Sequence, residues 1–132
     1  MPESHTDHQV LVIEDDLGFV KILSYMNRDW QLPLTICSNR AEIETALEDP
    51  SAFSVVVSDC HVPRIDILER LGELRTTHPE IDVVLMSNLD ERELQEEGEG
   101  LAPALIEPKD RIIREPAGFA TRIRQLLARH DA

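Results

Sequence analysis

Short apolar runs alternate along this chain with stretches in which apolar residues recur every three or four positions. Residues 10–13 form a run suited to a buried strand. They lead into a segment whose Phe19, Ile22, Leu23, Met26 and Trp30 fall at helical spacing, with Asp16 placed to cap it. Residues 32–37 read as a second strand, and Asn39 with Glu42 forms a capping-box signature ahead of a helix presenting Ile43, Ala46 and Leu47. Residues 53–58 are a third strand. After Pro63, Asp66 and Glu69 repeat the capping signature before Ile67, Leu68, Leu71 and Leu74, and Thr77-His78-Pro79 closes that helix. Residues 81–86 predict a fourth strand. A weaker helix over 90–99 follows, with Leu94 as its one apolar anchor. Residues 104–106 predict a short fifth strand, and Pro116 suits the first turn of a last helix carrying Phe119, Ile123, Leu126 and Leu127.

Five such alternations predict an α/β protein: a doubly wound five-stranded parallel sheet with right-handed crossovers and helices on both faces. At 132 residues the chain fits one core. Residues 1–8 read as an N-terminal tail and 9–130 as a single domain, without repeat or linker.

Composition narrows the function classes. The net charge of −13 disfavours direct binding to nucleic acid, which depends on clustered Lys and Arg. No apolar stretch approaches a membrane span, and the start lacks the regions of a signal peptide, so a cytoplasmic location is expected. Cys37 and Cys60 have no CxxC spacing and are expected to be buried free thiols. The five histidines, His5 and His8 in the tail among them, make no zinc pattern.

The chemistry lies at strand ends. Glu14-Asp15-Asp16 closes the first apolar run and Asp59 closes the third. In a sheet of order 2-1-3-4-5 the first and third strands are neighbours, and ligands bind where the order reverses. Glu14, Asp15 and Asp59 should therefore converge. Three carboxylates together require a proton or a cation, and Mg²⁺ suits an all-oxygen set completed by water and a phosphate oxygen. The simpler alternative is that these acids only cap the first helix.

VLVIEDD, then VVVSDCHVP with Pro63 four residues after Asp59, then VVLMS ending in Ser87, then GLAPALIEP occur in order. Together they resemble the landmarks of response-regulator receiver domains, the CheY-like modules of two-component signalling, over nearly the whole chain. The resemblance implies a flavodoxin-like fold and a signalling module rather than an enzyme. It implies that Asp59 is the phosphoacceptor for a histidine kinase or phosphotransfer protein in a phosphorelay. It further implies that Asp15, Asp59 and the backbone carbonyl of His61 hold Mg²⁺ or Mn²⁺ with help from Glu14, and that Ser87 follows the phosphoryl group. An acyl phosphate on a carboxylate, formed by positioning and charge neutralisation, is chemistry these residue types can perform. An aspartate-nucleophile phosphatase would need a second Asp where His61 stands.

The chain departs from that pattern at the switch. Glu107 occupies the place of a lysine that pairs with the phosphoryl oxygens, and Ala104 that of a frequent Tyr or Phe. An anion facing the phosphoryl group at 4 Å would cost up to about 4 kcal/mol at an effective dielectric of 20, and less with solvent access. Lys109, two residues on, would share the face of Glu107 in extended chain and could supply the missing cation. The commoner fate of such a lysine is a solvated loop, and that is the expectation here. The link KDRIIREP is several residues longer than usual, so Ile112 and Ile113 need somewhere to pack, and Ile67 replaces a frequent Gly. The His61 side chain is expected to face solvent.

Acidic residues crowd 90–99, while Lys109, Arg111, Arg114, Arg122, Arg124 and Arg129 lie beyond. A homodimer through the fourth helix, fifth strand and last helix would use such opposite charges, although a solvated surface is the commoner reading. Output is expected through contacts with a downstream protein partner. The competing reading is a divergent pseudo-receiver that binds its partner regardless of phosphorylation.

Overall fold

The computed structural model describes residues 9–131; the tail assigned to residues 1–8, with His5 and His8, lies outside them. Five strands, β1 (Gln9–Ile13), β2 (Leu34–Cys37), β3 (Phe53–Asp59), β4 (Asp82–Ser87) and β5 (Leu105–Pro108), pair in parallel in the order β2-β1-β3-β4-β5. The α-helices are α1 (Leu17–Trp30), α2 (Arg40–Glu48), α3 (Ile67–Thr77), α4 (Glu91–Glu97), α5 (Lys109–Arg114) and α6 (Pro116–His130).

Both faces of the sheet are covered, which explains the unbroken apolar strands. Side chains alternate between faces with period two. Val10, Val12, Val55, Val57, Val84 and Met86 pack with Phe19, Leu23 and Trp30 of α1 and with Phe119, Ile123 and Leu126 of α6. Leu11, Ile13, Val56, Val83 and Leu85 pack on the other face with Ile43 of α2, Ile67, Leu71 and Leu74 of α3, and Leu94 of α4. Both cysteines are buried free thiols, as their spacing implies.

Local chemistry sets the helix starts. Asp16 accepts from the Gly18 and Phe19 amides and begins α1. Asn39 and Asp66 cap α2 and α3, but neither forms the expected reciprocal box; Glu42 accepts from the amide of Ser38 instead. The complete capping box belongs to α4, between Asp90 and Glu93. This cap, with Leu94 fully buried, supports a helix that has little amphipathic pattern.

Several strand boundaries shift by one or two residues from the sequence expectation: β2 begins at Leu34 rather than 32, β4 spans Asp82–Ser87 rather than 81–86, and β5 runs from Leu105 to Pro108 rather than 104–106. The long link before the last helix is itself helical: α5 buries Ile112 completely against the α1/α6 side of the core and leaves Ile113 45% exposed. Ile67, the replacement for glycine, is the buried first residue of α3. No helix among the described residues is long and apolar enough to cross a membrane.

Candidate functional site

Register brings the acidic residues together. Asp59 pairs with Met86, and Met86 with Glu107, so the three share a face; Glu14 follows Val10 and Val12 onto that same face. Glu14, Asp15 and Asp59 each bring a carboxylate oxygen within 4.8 Å of the others. Glu14 is fully buried and Asp59 nearly so.

The expected loop lysine is instead part of this cluster. Lys109 is the first residue of α5 and is buried. Its Nζ donates to Oδ2 of Asp59 at 2.8 Å and lies 2.6 Å from Oε1 of Glu14. The ammonium also sits 4.8 Å from the centroid of the Phe19 ring. Its solvated placement is therefore corrected: a helix turn, not extended chain, carries it inward, and two buried carboxylates hold it.

Charge states follow from these contacts. Burial opposes the positive charge of Lys109, but Asp59 and Glu14 outweigh it and hold its pKa above the ordinary lysine value. Burial is the largest influence on Glu14 and pushes its carboxyl up, against the pull of Lys109 and the Asp16 amide. The Cys60 thiol, next to the pocket, is pushed up to about 12 by burial and then by the charges of Asp59 and Glu97. It is no nucleophile at neutral pH.

The residues suit a hard divalent cation. One ammonium against three carboxylates leaves negative charge to neutralise, and every candidate donor is oxygen. Oε1 of Glu14 is buried, with the Lys109 ammonium 2.6 Å away.

The other expected residues fall around this pocket. The His61 amide approaches Oδ1 of Asp59 at 3.4 Å. Its side chain is 71% exposed, as expected, with Nε2 2.9 Å from a carboxylate oxygen of Glu97. Ser87 ends β4, buried, and its Oγ accepts from the amide of Leu89. Ala104 packs at the edge of the core and lines an open groove of about 680 Å³ with Arg92, Gln95, Pro103 and Leu105.

Glu107 has cationic partners of its own. It is fully buried, and both its oxygens are taken by Arg122 of α6, at 2.5 Å from Nε and 2.7 Å from Nη2. Arg111 of α5 adds a second guanidinium 3.8 Å away and bonds Glu91 of α4 at 2.9 Å. Two cations thus balance two anions. Sequence reading missed Arg111 and Arg122 as partners, although a buried strand-end anion demands cations. The same pairs use part of the charge asymmetry within one chain.

No family model matches the chain. It is 27% identical over 110 residues to the transcriptional regulatory protein ZraR of Escherichia coli K12, covering 81% of this chain and 24% of that protein. It is 34% identical over 80 residues to the two-component response regulator ORR21 of Oryza sativa subsp. indica, covering 60% and 11%. The chain thus spans about a quarter or less of the length of these relatives. Among solved structures, the BeF₃-activated receiver domain of DrrB superposes with a TM-score of 0.73 at 23% identity, covering 92% of this chain and 97% of that one.

Proposed function

From a chain with the receiver-domain fold and response-regulator relatives, we propose a phosphoacceptor module in which Asp59 takes the phosphoryl group and Lys109 supplies the site's fixed cation. The observation that carries this reading is the buried ammonium of Lys109 held between Asp59 and Glu14 within a cluster of three carboxylates.

An oxygen of Asp59 attacks phosphorus on the donor, a phosphohistidine of a histidine kinase or phosphotransfer protein. The P–N bond breaks, the acyl phosphate P–O bond forms, and the imidazole leaves with a proton. Glu14, Asp15, Asp59 and the His61 carbonyl would hold Mg²⁺ or Mn²⁺, which neutralises charge on the phosphoryl oxygens. Lys109 then passes from the carboxylate oxygen to a phosphoryl oxygen, and Ser87 offers its hydroxyl. Output runs through a downstream protein.

One observation favours a second reading. Ala104 and Glu107 stand at both usual switch positions, so the module could bind a partner without phosphate. Such a partner would bind Asp59→Asn as tightly as the parent.

Intact-protein mass after incubation with acetyl phosphate and Mg²⁺ tests the primary reading. A single phosphoryl adduct, lost in Asp59→Asn and without Mg²⁺, is expected. An adduct that survives Asp59→Asn, or none where trifluoroberyllate also fails to bind, overturns it.

A further inference from the structure

We infer that Glu107 is a positioning residue for Lys109: the anion at the end of β5 and the lysine at the start of α5 are one coupled change. This inference rests on the phosphoacceptor reading and identifies how its cation is delivered.

Lys109 follows Pro108, the last residue of β5, directly and opens a six-residue helix that could not hold its direction by helix formation alone. Something must fasten its first turn. Arg111, in that turn, donates from Nη2 to the Ile106 carbonyl of β5 at 2.9 Å and lies 3.8 Å from Oε1 of Glu107. Glu107 is in turn gripped in a fork by Arg122 of α6. The carboxylate therefore ties β5, α5 and α6 at one point, two residues before the ammonium that enters the pocket. Ile112, wholly buried three residues after Lys109, docks the helix on the core.

The geometry also accounts for the sign of residue 107. A cation there would confront Arg111 and Arg122 in a buried site. An uncharged amide would keep the shape of the side chain but lose the charge that opposes two guanidinium groups. Freed of that contact, the first turn of α5 would open more often and release Lys109 to solvent.

The chain contains two lysines, and Lys21 is exposed on α1. Pulsed amine labelling read by peptide mass can therefore use Lys21 as an internal standard for Lys109. In the parent, Lys109 should be protected. Glu107→Gln should raise the Lys109/Lys21 labelling ratio on the order of tenfold, as expected when a buried charged contact is lost, and should shorten the lifetime of the phosphoryl adduct. Arg111→Gln should do the same while leaving the Glu107–Arg122 pair intact, and it serves if Glu107→Gln does not fold. Ile43→Val, a core truncation on the opposite face, should lower stability yet leave Lys109 protected. A phosphorylated parent whose Lys109 remains protected in the foldable variants overturns the positioning role alone. So does equal unmasking by Ile43→Val. A parent that forms no adduct and binds no trifluoroberyllate overturns the phosphoacceptor reading, whatever the labelling ratio shows.

Discussion

At the residue scale, the account turns on one ammonium. Lys109 neutralises part of a buried acidic cluster, and its removal would leave Glu14 and Asp59 facing each other. Breaking a buried pair in this way typically costs about 3–5 kcal/mol. Lys109→Met should therefore lower unfolding stability by about that amount in chelator, measured by urea denaturation, and recover part of it when Mg²⁺ is added. The pH dependence has a definite sign. The lysine's folded pKa lies above its ordinary value of 10.5, so its contribution is complete below that pH and is lost as pH rises through the folded value. The gap between parent and variant should hold from neutral pH to about 10 and close at higher pH. A variant as stable as the parent in chelator would show that the pair adds nothing.

At the scale of elements, α5 is the part of the molecule that departs most from the sequence expectation. The strand runs were legible because burial on both faces makes them continuously apolar, and five of the six α-helices because one buried face or a cap marks them. So was the convergence of Glu14, Asp15 and Asp59, which follows from strand order. Residues 109–114 were not legible, because six residues show too little periodicity and the fork that Arg122 makes on Glu107 comes from a later helix. Ile112 and Ile113 are adjacent and chemically identical, yet one is wholly buried and the other 45% exposed. Ile112→Ala should cost about 2–5 kcal/mol, whereas Ile113→Ala should stay within about 0.5 kcal/mol. Similar losses from both, in matched denaturation curves, would contradict the docking of α5.

At the scale of the whole molecule, the sheet order does what the fold class requires: it sets a pocket between β1 and β3 and leaves loops to supply the chemistry. At the end of β5 stands a paired anion, Glu107, and the buried ammonium beside Asp59 comes from the first residue of α5. That helix contacts α4 through the Arg111–Glu91 ion pair. The most direct test is a crystal structure with Mg²⁺ and trifluoroberyllate, the phosphoryl mimic named in the solved DrrB structure. Beryllium should be bonded to an oxygen of Asp59, with the Lys109 ammonium within hydrogen-bond distance of a fluoride. A bound adduct with Lys109 turned away to solvent, or a fluoride held by another cation in its place, would contradict this arrangement.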